Sequence, residues 1–286
     1  MIENVPIRFK PTINTVYPPN NITEFERWLG NNYEECNTDR TYLPVFWTGY
    51  HVNNNYGNDA ASIRALQEYI DSLDRSKKYW TVVQYDDSVL IDFKDLDVLR
   101  FEMSKNNWVG LPLIGQPHPF AFSGSKKHFA NFIGGKTHPI RDVAEGLKNI
   151  PGYYISYEPH DIENYCRVIY DSIFTLCFRG YGLNSFRCTE AVQFGSIPVY
   201  ISDEFVTPFG TEFSEYGILI HHRSAHRIDE ILQSIDPVVV IEKQAKLEEV
   251  YEEYYTYEGV LKNIIRTLET EYNKREQGRQ DATIDE

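Results

Sequence analysis

The chain has 286 residues, 42% of them hydrophobic and 14% aromatic, enough apolar surface for a buried core, which excludes a disordered class. Its formal net charge of −14 argues against a nucleic-acid groove and against an anionic membrane surface; an anionic ligand requires cations concentrated in one pocket. At this length a single core stops growing, so two lobes or one large α/β domain are expected. Four cysteines, Cys36, Cys166, Cys177 and Cys188, lack CxxC or zinc spacing and read as small reduced hydrophobes. Residues 1–15 carry no apolar signal core, and no run approaches the ~20 apolar residues that span a bilayer. A soluble, cytoplasmic protein without a membrane span is expected.

Apolar strand-like runs alternate with helical patterns along nearly the whole sequence, which predicts βαβ units and parallel sheet. In the first half the strands are predicted at 42–47, 79–85, 98–101 and 108–113. An amphipathic helix over 59–73, with Ile63, Leu66 and Ile70 on one face, separates the first two. Residues 115–127, rich in Pro, Gly and Ser, read as a linker. The alternation then restarts with strand 129–133, helix 138–147, strand 153–157, helix 161–171, strand 173–178, helix 184–194, and strands 197–201 and 217–220. Asp236 caps a long helical tail with Pro237 at its first position, where a missing N–H is harmless; residues 277–286 read as a frayed polar end. The expected division is an N-terminal lobe 1–122, a C-terminal lobe 123–235, and a tail 236–286 packing back across both.

The densest chemical signal runs from Ser172 to Phe209, SIFTLCFRGYGLNSFRCTEAVQFGSIPVYISDEFVTPF: strand, glycine-bearing loop, helix, strand. The loop Gly180-Tyr181-Gly182 lets backbone approach a ligand, and a helix starting near Asn184 or Ser185 presents free N–H groups, an arrangement that holds anions. A plain structural turn has the same pattern. Arg187 falls in the first helical turn, where a cation opposes the macrodipole. Either an anion lies in front of it, or it forms a surface pair with Glu190 three residues on. In the first case Glu190 is placed to accept from ribose hydroxyls. Tyr153, Tyr154 and Tyr157 offer either base stacking or core packing.

This string, with LPVFWT at 43–48, WTVVQYDD at 80–87 and residues 132–141, resembles the exostosin-like glycosyltransferases, carbohydrate family 47, over about residues 40–210. The small size is most similar to the compact exostosin-like xylosyltransferases of large algal viruses; for such a protein the compartment is the host cytoplasm. The resemblance implies an α/β fold of GT-B type, two Rossmann-like lobes with a cleft between them, and an inverting transfer from a nucleotide sugar held by the C-terminal lobe. Arg141, Ser185, Arg187 and Glu190 match the family's donor-binding positions, with Tyr157, Gly182 and Asn184 beside them. Two arginines on one diphosphate neutralise the leaving group, so no metal or other cofactor is expected. The implied donor is a UDP-sugar, UDP-xylose first and UDP-glucose or a GDP-sugar behind, and the acceptor is an oligosaccharide or glycoprotein hydroxyl. The membrane anchor and second catalytic module of the animal members are missing from this sequence, so a heparan-type product is not implied.

An inverting transfer needs a base on the acceptor side. Asp86 and Asp87 follow the strand 79–85 at a carboxyl end, where such sheets place ligands, and their repulsion is expected to raise one pKa; a solvated turn has the same pattern. Asp86 matches the acid of the family's strand-end motif and is the first choice, Asp87 the second; His51 is the rival. Trp47 and Tyr50 are candidates for contact with the acceptor sugar. Two alternatives stand beside this reading: a catalytically inactive glycan- or nucleotide-binding module on the same fold, and a P-loop nucleotidase at residues 130–137, ANFIGGKT, one residue short of the pattern. Asp95 and Asp97 have the D-x-D spacing of metal-dependent transferases, which chance supplies in a chain with 42 acids. His221-His222 lacks zinc-ligand spacing.

Overall fold

The computed structural model describes residues 1–13, 24–102 and 109–284, with side chains to 277, and the chain divides into two compact units. Among the described residues, the first unit holds those up to Glu102, Val109 and the terminal helix from Tyr257; the second is Gly110–Thr256.

The first unit contains α1 (Phe25–Asn32), β1 (Arg40–Tyr42), α2 (Trp47–Asn53), α3 (Ala60–Asp71), β2 (Lys78–Val83) and β3 (Val98–Glu102), with β4 (Val109–Gly110) at its boundary. The strand order is β1-β2-β3-β4, and β1, β2 and β3 run parallel. The strand expected at 42–47 ends early. Leu43 N still donates to Trp80 O at 2.8 Å, but Pro44 has no N–H to continue the ladder. Val45 N turns back to Leu43 O at 2.9 Å, and α2 begins at Trp47. Helix α3 starts where predicted, with Asp59 accepting from Ala61 N and Leu66 and Ile70 buried. Of the strand expected at 108–113, Trp108 lies outside the described residues and β4 accounts for two positions.

The terminal helix α8 (Tyr257–Ile284) continues where a frayed end was expected; residues 285–286 lie outside the described ones. Its Tyr257 ring sits 5.3 and 5.2 Å from Phe25 and Trp28. Arg40, 5% exposed, donates to Glu271 at 2.9 Å and to Asp97 at 2.7 Å. A buried guanidinium paired twice in this way tolerates no loss of its partners. Asp97 is thereby committed to Arg40, and Asp95 pairs with Arg75 at 3.4 Å.

The second unit contains β5 (His128–Ile133), β6 (Tyr153–Ser156), α4 (Ile162–Tyr170), β7 (Ser172–Phe178), α5 (Phe186–Gln193), β8 (Ile197–Ser202), β9 (Ile218–His221), α6 (Ile228–Gln233) and α7 (Pro237–Tyr254). Its sheet is parallel throughout in the order β6-β5-β7-β8-β9. Counted within the unit this is 2-1-3-4-5, a doubly wound sheet whose order reverses between β5 and β7. Residues Pro139–Leu147, expected as an α-helix, form 3₁₀ turns: Arg141 N donates three residues back to His138 O at 3.0 Å. Asp236 and Pro237 start α7 as expected, the Asp236 carboxylate accepting from Val238 N at 2.8 Å.

The expected linker 115–127 belongs to this unit. It has neither helix nor strand, but Thr189 Oγ1 donates to Leu113 O at 2.6 Å and Gln193 Nε2 to His118 O at 2.9 Å. Those bonds to α5, with Leu113, Ile114 and His118 buried, fix a segment that composition alone marks as a connector. Each unit is thus α/β with parallel sheet, the layering a GT-B fold requires of each lobe. No described helix is long and apolar enough to cross a membrane.

Candidate functional site

In a doubly wound sheet the crevice beyond the carboxyl ends of the strands at the reversal is where ligands bind. Here those ends are Ile133-Gly134-Gly135 after β5 and Phe178-Arg179-Gly180 after β7, and two arginines converge on them. Arg187 Nη2 donates to Ile133 O, and its Nη1 lies 3.4 Å from Ser185 Oγ. Arg141 Nη1 donates to Gly135 O at 2.9 Å, Nε to Arg179 O at 3.0 Å and Nη2 to Phe178 O at 3.3 Å. Both guanidiniums lie over one ring, Phe132, at 4.9 Å for Arg187 and 5.9 Å for Arg141. Gly134 is required by this approach, since a Cβ there falls 2.5 Å from Arg187 Nη2. Ser185 caps α5 by accepting from Arg187 N at 3.3 Å, while its own N–H donates to Asn184 Oδ1 at 2.6 Å. The sequence-derived donor residues Arg141, Ser185 and Arg187 therefore meet in one place, with Asn184 beside them.

The surface-pair reading of Arg187 fails, because Arg187 and Glu190 are 8% and 7% exposed. The Glu190 carboxylate is held instead by the Tyr165 hydroxyl, which donates to Oε2, and by His118 Nε2 at 3.4 Å from Oε1. Burial raises the pKa of Glu190, but the bonds from His118 and Tyr165 and the charge of Arg187 outweigh it and hold the carboxyl below its ordinary value. Burial likewise works against the charge of Arg187 and is outweighed by Tyr165 and Glu190. His118 and Tyr165 come from a loop and from α4, 72 and 25 residues from Glu190, and no local pattern marks either.

Arg179 is a further residue sequence reasoning passed over. It pairs with Asp203 and donates to Gly182 O at 3.2 Å and Tyr181 O at 3.0 Å, so it holds the glycine loop. Its position at the end of β7, opposite an acid after β8, was the available signal. The tyrosines are supports: Tyr157 donates to Arg141 O at 2.7 Å and packs edge-on against Phe132 with ring centres 5.7 Å apart. Tyr153 donates to Asp229 at 2.9 Å, and Tyr154 meets His160 at 2.9 Å. The P-loop reading fails because β5 runs through Ile133 and Lys136 points to Asp142, 3.3 Å away.

In the first unit the chain leaves β2 through Gln84 and Tyr85 into a turn closed by Ser88 N on Tyr85 O at 3.0 Å, with Ser88 at φ +63°. Asp86 is half-buried and Asp87 exposed on this turn. Burial pushes the Tyr85 phenol up to about 12, with the charges of Asp87 and Asp86 adding to it. His51 is fully buried, its ring 5.0 Å from that of Tyr85, with neither ring nitrogen hydrogen-bonded among the described residues. Burial pulls its pKa down to about 4, so it is neutral at pH 7. Trp47 and Tyr50, expected to face an acceptor sugar, are core residues. Trp47 is fully buried and donates from Nε1 to Thr81 Oγ1 at 2.9 Å, and Tyr50 donates to Ser62 O at 2.8 Å. They line the apolar interior with Leu43, Tyr79 and Val83 because α2 begins at Trp47 and turns that face inward. Among the described residues no three His, Cys, Asp or Glu side chains gather as a metal-ligand set.

The match to a family model falls mainly on the second unit. Residues 105–235 match the Exostosin GT47 domain. The chain is similar to an exostosin-1 homolog of Caenorhabditis elegans, 26% identical over 251 residues, covering 67% of this chain and 65% of that protein. It is also similar to a probable beta-1,4-xylosyltransferase of Arabidopsis thaliana, IRX10L, 37% identical over 107 residues, covering 37% of this chain and 25% of that one. A probable glucuronosyltransferase of Oryza sativa subsp. japonica, GUT1, is 37% identical over 109 residues, 37% of this chain and 26% of that protein. The chain thus spans just under two thirds of the nematode protein and about a quarter of the plant ones. Among solved structures, Anabaena HepE in complex with UDP and glucose aligns at a TM-score of 0.42 and 8% identity, over 81% of this chain and 78% of that one.

Proposed function

We propose that the chain is an inverting, metal-independent glycosyltransferase of GT-B type that moves a sugar, xylose first, from a UDP-sugar to a hydroxyl of a glycan acceptor. The observation that carries this reading is the convergence of Arg141 and Arg187 over Phe132, beyond β5 and β7 and at the amino end of α5. Two guanidiniums at one point suit a diphosphate, and both can take up the charge that the leaving group gains as the glycosidic bond breaks. The match to the Exostosin GT47 domain supports the same class; xylose draws support from the plant relative's name.

In the reaction the acceptor oxygen attacks the anomeric carbon from the face opposite the diphosphate. Asp86 takes the acceptor proton, the bond to the diphosphate oxygen breaks with its electron pair leaving on UDP, and configuration inverts. Arg141 and Arg187 hold the departing diphosphate. Glu190, with two protein donors already on it, retains acceptor capacity for ribose hydroxyls.

A thermal-shift panel of nucleoside diphosphates and nucleotide sugars tests the reading. UDP and UDP-xylose are expected to raise the melting temperature, since ligand at 100 times its Kd adds about 2.7 kcal/mol of stability. A shift with GDP alone overturns the donor and leaves the transferase. No shift with any nucleoside diphosphate overturns the reading.

A further inference from the structure

Glu26, on α1, is an acid that no sequence pattern singles out and that the transfer chemistry above does not use. It is 4% exposed, yet three donors converge on its carboxyl group. Thr48 N donates to Oε2 at 2.9 Å, Thr48 Oγ1 to Oε1 at 2.9 Å, and Gln84 N to Oε1 at 2.8 Å. Thr48 is the second residue of α2, and Gln84 is the first residue beyond β2, two before Asp86. One carboxyl group therefore joins three elements at the strand end that carries the candidate base. Buried as it is, Glu26 does not itself meet an acceptor hydroxyl. It holds backbone.

We infer that Glu26 is a positioning residue whose carboxylate ties the start of α2 to the exit of β2 and so fixes the turn that presents Asp86. The catalytic consequence rests on the transferase reading; the tie is a property of the fold. An ionised carboxylate accepts from all three donors, whereas a proton on one oxygen turns an acceptor into a donor and forfeits a bond. Burial pushes the pKa of Glu26 up to about 7 against the pull of the Gln84 and Thr48 bonds, so the tie is complete above that pH and slackens below it. Titratable groups near it among the described residues are the following. On its own helix Arg27 and Glu24 pair with each other. Tyr42 on β1 has its phenol raised by burial first and by Glu26 and Tyr33 after it. His51 lies one turn further along α2, and Asp86 and Asp87 follow Gln84.

The test is amide hydrogen exchange in the full chain, wild type and Glu26→Gln, across pH 5.5–8.5 with intrinsic rates divided out. Protection of Thr48 and Gln84 is expected to fall roughly 10- to 100-fold in E26Q, the loss of a charge-assisted hydrogen bond. In the wild type it is expected to fall as pH drops through about 7. Transfer kinetics are expected to show a lower kcat in E26Q with the donor KM unchanged, and loss of the wild-type inflection near pH 7. Should E26Q not fold, the wild-type pH series decides alone. Exchange at both amides that is flat with pH in the wild type overturns the inference, as does exchange unaltered in a folded E26Q. The expected exchange pattern with no turnover of any UDP-sugar by the wild type upholds the tie and overturns the transferase reading.

Discussion

The two units place their polar side chains at the same architectural position, the carboxyl end of a parallel sheet, and fill it with opposite charge. In the second unit the strand-end carbonyls of Ile133, Gly135, Phe178 and Arg179 face inward and gather guanidiniums. In the first, the strand-end and helix-start amides of Gln84 and Thr48 gather the carboxylate of Glu26, and two further acids, Asp86 and Asp87, follow. The sign of each site follows from which backbone groups the local fold leaves without a ladder partner, because buried donors and acceptors must be satisfied. In a chain of net charge −14, the first kind of end suits an anion. The second kind suits removal of a proton.

This contrast breaks most visibly if the acidic end is not catalytic. Asp86→Asn is expected to lower the transfer rate by roughly 10²–10⁴-fold, the usual contribution of a positioned proton acceptor, while UDP affinity stays unchanged. Full activity in Asp86→Asn with a dead Asp87→Asn moves the role by one residue. Near-wild-type rates in both single variants and the double variant remove the base from this turn.

A smaller effect sharpens the electrostatics. The folded-state pKa of Glu26 is raised from 4.5 to about 7, so the native state binds the proton more tightly than the unfolded chain. Stability against the unfolded chain, in which Glu26 is solvated, is then expected to fall as pH rises from about 4.5 to about 7, by about 3.5 kcal/mol at ~1.4 kcal/mol per unit; the local tie at Thr48 and Gln84 has the opposite sense because its opening leaves Glu26 buried. Urea melts of wild type and Glu26→Gln at pH 5 and pH 7.5 isolate this component, and equal slopes in the two proteins contradict it. The smallest expected effect is none: excess EDTA is expected to leave turnover unaltered. Abolition of turnover by the chelator breaks the assignment of leaving-group stabilisation to arginines and revives Asp95 and Asp97, which here pair with Arg75 and Arg40.

What could be read from the sequence were features carried by neighbours in the chain. Asp59, Asp161, Ser185 and Asp236 cap helices because each accepts from an N–H two or three residues on, and the β7-α5-β8 string announces its own turns. Features set by tertiary partners were hidden. Pro44 ended β1 inside an apolar run, and residues 115–127 look like a linker until Thr189 and Gln193 anchor the adjoining backbone. Trp47 resembled a sugar platform until α2 turned it inward. The contacts of Glu190 with Tyr165 and His118, and of Glu26 with Thr48 and Gln84, join residues far apart in sequence, where periodicity carries no information.

The central claim is that Arg187 is one arm of a diphosphate clamp, and calorimetric titration of UDP into wild type and Arg187→Ala tests it most directly. The account predicts an unchanged fold by circular dichroism and UDP binding weakened by ~2–4 kcal/mol, on the scale of losing a donor to a charged leaving group. A folded Arg187→Ala that binds UDP as tightly as the wild type would contradict it and leave Arg187 a buried structural partner of Glu190 and Tyr165.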